Sequence, residues 1–145
     1  MSGNTDLYLV IGGSGFVGRR LTLLLLNQGR RVRVFDRTPI GDSRVEMMIG
    51  DIRRAEEVQR ACDGATVVFQ CASLVDWRPG SDQALYDVNV AGNRNILAAC
   101  ATRPNIRLVY TSSIDVVFEG RPIRHGDETL PYATRHLDVY GRTKM

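Results

Sequence analysis

Apolar positions along the chain fall into short blocks separated by polar stretches, and the spacing within each block predicts an element. Leu7 to Ile11 is a nearly all-apolar run, which suits a strand covered on both faces. Phe16 to Gln28 predicts a helix whose apolar face is Phe16, Val17, Leu21, Leu24 and Leu25, with Gly29 as its stop. Val32 to Phe35 predicts a second strand ending at Asp36, and after a polar link, Val45 to Ile49 predicts a third, closed by Gly50 and Asp51. A short helix over 54–62 is ended by Asp63 and Gly64, and TVVFQC at 66–71 predicts a fourth strand. Residues 82–103 carry Leu85, Val88, Ala91, Ile96, Leu97 and Cys100 broadly at helical spacing, with Asn89 turned inward. Ile106 to Tyr110 predicts a fifth strand, running into Thr111, Ser112 and Ser113. From Ile114 to Leu137 the chain is polar and irregular, a candidate substrate-facing loop. Asp138 then caps a helix carrying Tyr140 and Lys144 one turn apart. Strands alternating with helices predict an α/β fold: an open, doubly wound parallel sheet with ligands at the C-terminal ends of its strands.

The first strand runs straight into Gly12, Gly15 and Gly18 at GxxGxxG spacing. Glycines so placed allow a tight turn, a close backbone approach to a pyrophosphate, and close packing of helix on sheet. The next helix points its free amides and positive dipole end at the same spot, so Gly12, Gly15, Phe16, Val17 and Gly18 are candidate phosphate-binding positions. Strand, glycines, helix and second strand in sequence are the context that a dinucleotide site requires.

Asp36 lies 18 residues after Gly18. An acidic residue there can accept hydrogen bonds from both adenosine ribose hydroxyls while repelling a 2′-phosphate, which favours NAD over NADP. The competing reading makes Asp36 the start of a polar turn with Arg37, Thr38 and Pro39, and Arg19 or Arg37 could pair with a 2′-phosphate. Asp51 either accepts from the adenine amino group, with Ile52 beside it, or is a surface turn acid. The small residues Cys71, Ala72 and Ser73 leave room for a flat cofactor against the end of the fourth strand.

Composition narrows the field. The chain has 145 residues, 43% hydrophobic and 24% charged, a length and balance for one globular domain, 1–145. Its charge of +3 is scattered with no basic block, so no nucleic-acid partner is expected. Leu23 to Leu26 is far too short to span a bilayer, and the polar stretch Met1 to Asp6 has no signal-peptide pattern. Cys62, Cys71 and Cys100 are odd in number and lack metal-ligand spacing, which predicts unpaired, structurally buried thiols, no metal, and a cytoplasmic or cytosol-facing location.

Of the 19 basic residues, Lys144 is the only lysine, and it stands four after Tyr140. An ammonium there can hold ribose hydroxyls and favour a tyrosinate. A free phenol titrates near about pH 10, too high for a good base at neutral pH, so a nearby cation has a use. In this reading Tyr140 takes the proton of a substrate alcohol as hydride leaves its carbon. Ser113 hydrogen-bonds the same oxygen, Ser112 lies by the cofactor, and Asn89 positions a water for the proton relay.

These residues amount to a resemblance. GGSGFVG at 12–18, Asp36, GDI at 50–52, NVAGNRNIL at 89–97, YTSSIDVVFEG at 110–120 and YGRTK at 140–144 resemble the N-terminal part of an extended short-chain dehydrogenase/reductase, a Rossmann-type fold. YTSSIDVVFEG, HGDETLPY and the YxxxK beyond them are similar to the 3-beta-hydroxysteroid dehydrogenase/isomerase family. The resemblance implies NAD-dependent oxidation of a 3-beta-hydroxyl, with Tyr140 and Lys144 catalytic, Ser113 assisting and Asn89 supporting. It implies a small-molecule partner, a sterol or related alcohol, and a possible homodimer in the full-length protein. The resemblance implies nothing about membrane association of this stretch, which in steroid-processing relatives commonly involves the C-terminal parts. Two departures are Gln70, where such sequences often have histidine, and Asn93, where threonine is frequent. Such proteins continue past YxxxK into further strands and a substrate-binding region, so the chain is expected to be an incomplete domain ending as the catalytic helix begins. A nucleotide-sugar epimerase or dehydratase, and a non-catalytic NAD-binding fragment, are the alternatives.

Overall fold

The computed structural model describes residues 6–145; Met1 to Thr5 of the polar N-terminal stretch lie outside the described residues. Five parallel strands form one sheet in the order β3-β2-β1-β4-β5, with β1 Leu7–Ile11, β2 Arg31–Asp36, β3 Glu46–Ile49, β4 Val67–Gln70 and β5 Arg107–Tyr110. β1 is central, with Val10 opposite Val34 of β2 and Phe69 of β4. Its side chains alternate between two cores. Leu9 and Ile11 pack with Phe35, Val58, Cys62 and Ile96 on the side of α2 (Ala55–Cys62). Val10 packs with Val32, Val34 and Leu25 on the side of α1 (Phe16–Asn27). This two-sided burial explains why β1 is apolar without alternation.

The sheet reverses its direction of growth at β1: β2 and β3 lie on one side, β4 and β5 on the other. A crevice outside the strand ends is expected where the order reverses.

Two helices depart from the expected faces. Phe16, Val17 and Leu24 are 87%, 56% and 55% exposed, and α1 instead buries Gly18, Thr22 and Leu25. The glycine turn sets the rotation of α1. Gly18 lies so close to Gly12 and Gly13 that an added Cβ would stand 2.8 Å from the Gly13 Cα, and the face in line with Gly18 is the one turned inward. The 82–103 helix is three segments, α3 Asp82–Leu85, a π-helical stretch Tyr86–Gly92 and α4 Asn93–Ala101. The wider π turn shifts the phase of the residues beyond it, leaving Ala91 and Leu97 exposed while Ile96 and Ala99 are buried. The irregular segment after β5 contains a 3₁₀ turn, Ile114–Val116, and is pinned at its base by Ala133 N donating to Val116 O at 2.7 Å. α5, Val139–Lys144, is capped by Asp138, whose carboxylate accepts from Gly141 N at 2.7 Å.

Candidate active site

At the C-terminal end of β1 the chain turns at Gly12, whose φ of +79° is costly for any residue with a Cβ. There is also no room for one: a Cβ on Gly12 would stand 2.6 Å from Ala72 N at the exit of β4. The two strand ends are thus closed against each other. Gly15 differs, with an ordinary φ of −74° and only Gly12 O, at 3.3 Å, near an added Cβ. Its open side faces the cleft. Gly15 is the N-cap of α1 and offers no capping side chain, and no acidic residue occupies the first turn, so the amides of Phe16, Val17 and Gly18 lack a side-chain acceptor. Such a terminus attracts an anion.

A cleft of about 400 Å³ lies here, lined by Gly12, Ser14 and Gly15 from the turn, Asp36 to Thr38 after β2, Gly50 to Arg53 after β3, and Cys71 to Leu74 after β4. Ala84 and Val88 close it from the helical side. Of the cofactor-site candidates, Gly12, Gly15, Asp36, Arg37, Asp51, Ile52, Cys71, Ala72 and Ser73 therefore converge on one cavity. Phe16, Val17, Gly18, Tyr140 and Lys144 are not among its lining residues, and neither is Ser112, which is exposed beyond β5.

Asp36 is tied into the turn. Its carboxylate accepts from Ser14 N at 3.0 Å and from Thr38 N at 3.1 Å, and Ser14 Oγ donates to Thr38 O at 2.7 Å. The carboxylate oxygens are thus fixed on the wall of the cleft. Asp36 orders a polar turn and also lines the cavity. Asp51 pairs with Arg53 at 2.6 Å, and these hydrogen bonds hold its carboxyl below the usual range against the opposing effect of burial.

The Asn89 side chain, 4% exposed, spends all its hydrogen-bonding capacity on protein. Oδ1 accepts from Leu74 N at 2.8 Å and Ser73 Oγ at 3.2 Å, while Nδ2 donates to Leu74 O at 2.8 Å and Thr143 Oγ1 at 3.0 Å. The side-chain amide is thus committed to protein, and through it Asn89 anchors the strand exit that lines the cleft.

Tyr140 and Lys144 lie on α5 as expected. Lys144 is 4% exposed, donates from Nζ to Thr111 O at 2.6 Å, and stands 4.5 Å from the centre of the Tyr110 ring. Burial lowers its pKa, with the neighbouring Cys71 thiol opposing that shift. Burial likewise pushes the Tyr110 phenol up, and Tyr140 adds to the effect. Ser113 donates from Oγ to Asp115 Oδ2 at 2.8 Å, and Asp115 belongs to the 3₁₀ turn that packs on α5 at Gly141. No cluster that could hold a metal occurs among the described residues, and all three cysteines are unpaired.

Two contributors have no signal in the sequence pattern and a third has a faint one. Thr143 occupies a variable position of YxxxK but meets Asn89. Thr111 offers Lys144 a backbone carbonyl. Gln70, 1% exposed, folds over its own strand end, its amide exchanging two 3.1 Å hydrogen bonds with the Ala72 backbone. An isolated glutamine at the end of an apolar strand is the only hint of that last arrangement.

The parallel sheet, the glycine turn and the cleft at the reversal of strand order define a Rossmann-type domain of the extended short-chain dehydrogenase/reductase kind. Solved structures agree. A short-chain dehydrogenase/reductase superfamily protein from Agrobacterium tumefaciens, crystallised with bound NAD, aligns over 96% of this chain and 42% of its own with a TM-score of 0.86 and 32% identity. The UDP-glucose 4-epimerase of Thermus thermophilus, in complex with NAD, aligns over 95% of this chain and 47% of its own with a TM-score of 0.80 and 28% identity. A profile of the 3-beta hydroxysteroid dehydrogenase/isomerase family matches residues 9–145, and the chain belongs to that family. It is 41% identical to a 3-beta-hydroxysteroid dehydrogenase of Mycolicibacterium neoaurum over 97% of its length and 42% of that protein's. It is 38% identical to the decarboxylating sterol-4-alpha-carboxylate 3-dehydrogenase of Bos taurus over 94% of its length and 38% of that protein's. The chain thus spans about two fifths of the length of these curated relatives.

Proposed function

We propose that this chain supplies the cofactor site and the acid–base residues of an NAD-dependent oxidoreductase that oxidises the 3-beta-hydroxyl of a sterol or a related secondary alcohol. The observation that carries the cofactor assignment is the pairing of an open Gly15 with an Asp36 carboxylate fixed on the same cleft. Gly15 and the first amides of α1 receive a pyrophosphate, and Asp36 accepts from the ribose hydroxyls while its charge disfavours a 2′-phosphate. Family membership and the NAD-bound structural relatives support the same choice. NAD supplies hydride acceptance when bound. The substrate carbon would give up a hydride to that acceptor while its hydroxyl proton passes to the Tyr140 phenolate oxygen, leaving a ketone and a neutral tyrosine. Ser113 orients the substrate oxygen, and Lys144 supplies a compact positive charge on the same helix face as Tyr140. Asn89 and Gln70 hold the strand exit against which the cofactor lies. Three unpaired thiols support a cytosolic or cytosol-facing location.

The sterol is favoured over a nucleotide sugar because two curated relatives, 41% and 38% identical, are named as steroid and sterol dehydrogenases, whereas the epimerase is 28% identical. The test is oxidation of a 3-beta-hydroxysterol by a protein of the relatives' length that carries this chain. Net NADH formation, abolished by Tyr140→Phe, is expected. Turnover undiminished in Tyr140→Phe would remove the assigned base, and turnover of a nucleotide sugar without net NADH would replace the substrate class.

A further inference from the structure

Lys144 and Tyr140 are useful only if α5 is held at a fixed place relative to the cleft, yet α5 has only six residues, too few to be stable by itself. Its buried polar tether is specific. The Thr143 hydroxyl, in a residue 5% exposed, donates to Tyr140 O at 2.8 Å. A hydroxyl has one proton to give, so toward Asn89 it can only accept, and it does so from Nδ2 at 3.0 Å. The orientation of the Asn89 amide is set independently at its other end, where Leu74 presents both an N–H and a carbonyl. Polarity therefore runs without conflict from Leu74, through Asn89 and Thr143, to the main chain of Tyr140. Leu74 and Ser73, which meets the same amide, line the cleft.

We propose that Thr143 is a positioning residue: its hydroxyl joins the Ser73 and Leu74 lip of the cleft, through Asn89, to the backbone of Tyr140, so that lip and YxxxK helix keep one register. The inference rests on the proposed function for its purpose, since the register matters because it sets Tyr140 and Lys144 against the cofactor. Valine at 143 keeps the shape of threonine but removes both hydrogen bonds, serine keeps them, and alanine removes them with less bulk.

Because Lys144 is the only lysine, its Nζ can be followed alone by labelling the 145-residue chain with an amine-reactive reagent and mapping the modified peptide. The readout is the labelling rate as a function of pH, without cofactor, alongside thermal melting. Thr143→Val and Thr143→Ala are expected to melt cooperatively and to label Lys144 faster by roughly fivefold, the factor set by one hydrogen bond, with a displaced pH profile. Thr143→Ser is expected to match the native chain. Asn89→Leu, 54 positions away, removes the same tether from its other end and should label Lys144 at least as fast as Thr143→Val, with the double variant adding little. Native labelling rates and pH profiles in the valine and alanine variants would overturn the proposal. So would loss of cooperative melting in both with serine intact, which would make the hydroxyl a purely structural requirement. A native chain that binds no NAD would instead count against the proposed function and leave the labelling result standing.

Discussion

Replacing Gly15 by alanine separates a glycine needed by the fold from one needed by a ligand. The backbone at Gly15 has φ −74° and ψ 176°, a conformation open to alanine, and the added methyl meets only Gly12 O at 3.3 Å. Folding should change by less than about 1 kcal/mol, since restricting the unfolded chain offsets the tight contact and the poorer N-cap. The melting temperature of the chain should then stay within about 5 °C of native. Bound NAD is a different matter. A methyl in the space where a pyrophosphate must meet the backbone costs about 1–3 kcal/mol as an overpacked contact, or roughly 5- to 150-fold in Kd. Calorimetric titration of both proteins with NAD, beside melts of both, measures the two effects separately. A Gly15→Ala protein that binds NAD like the native chain would refute the placement of the pyrophosphate. One that fails to melt cooperatively would show that Gly15 serves the turn instead.

The neighbouring glycine gives the opposite outcome: Gly18→Ala forces a Cβ against the Gly12 carbonyl, and loss of several kcal/mol with a broadened melt is expected whether or not NAD is present. Gln70→Leu keeps the volume of the strand end but strips both hydrogen bonds from the Ala72 backbone, so denaturant titration should show a loss of about 1–3 kcal/mol. The Cys62 thiol is pushed up to about 12 from 9.0, first by burial and next by Cys100. The unfolded chain therefore releases this proton first, and stability should fall as pH rises from about 9 toward about 12, by up to about 1.4 kcal/mol per pH unit. Cys62→Ala should flatten that alkaline decline in denaturant titrations, and an unchanged slope would remove Cys62 as its source.

Most of the sheet is legible in the sequence because its signals are local. β1 is apolar on both faces, Gly12 needs positive φ, and Asp36 closes β2 at the expected distance from the turn. Asp138 caps α5 with the hydrogen bond its position predicts. The face of α1 is not legible, because Leu21 to Leu26 is apolar nearly all round and periodicity cannot choose a side; contact between Gly12 and Gly18 chooses it. The π-helical stretch at Tyr86–Gly92 is hidden for a related reason, since apolar spacing is judged against a straight α-helical phase. At the site, Asn89 is recognisable as a buried amide needing partners, but its partners come from Leu74 and Thr143, 15 and 54 positions away. Such pairings are tertiary and leave no trace in spacing.

The central claim, that the glycine turn and Asp36 form an NAD site in this chain, is tested most directly by titrating the 145-residue protein with NAD and with NADP in a calorimeter. Saturable binding of NAD is predicted, with weaker binding of NADP because the proposed role of Asp36 sets its carboxylate against a 2′-phosphate. Equal or tighter binding of NADP would contradict the role of Asp36, and absence of binding by either, from a protein that melts cooperatively, would contradict the site itself.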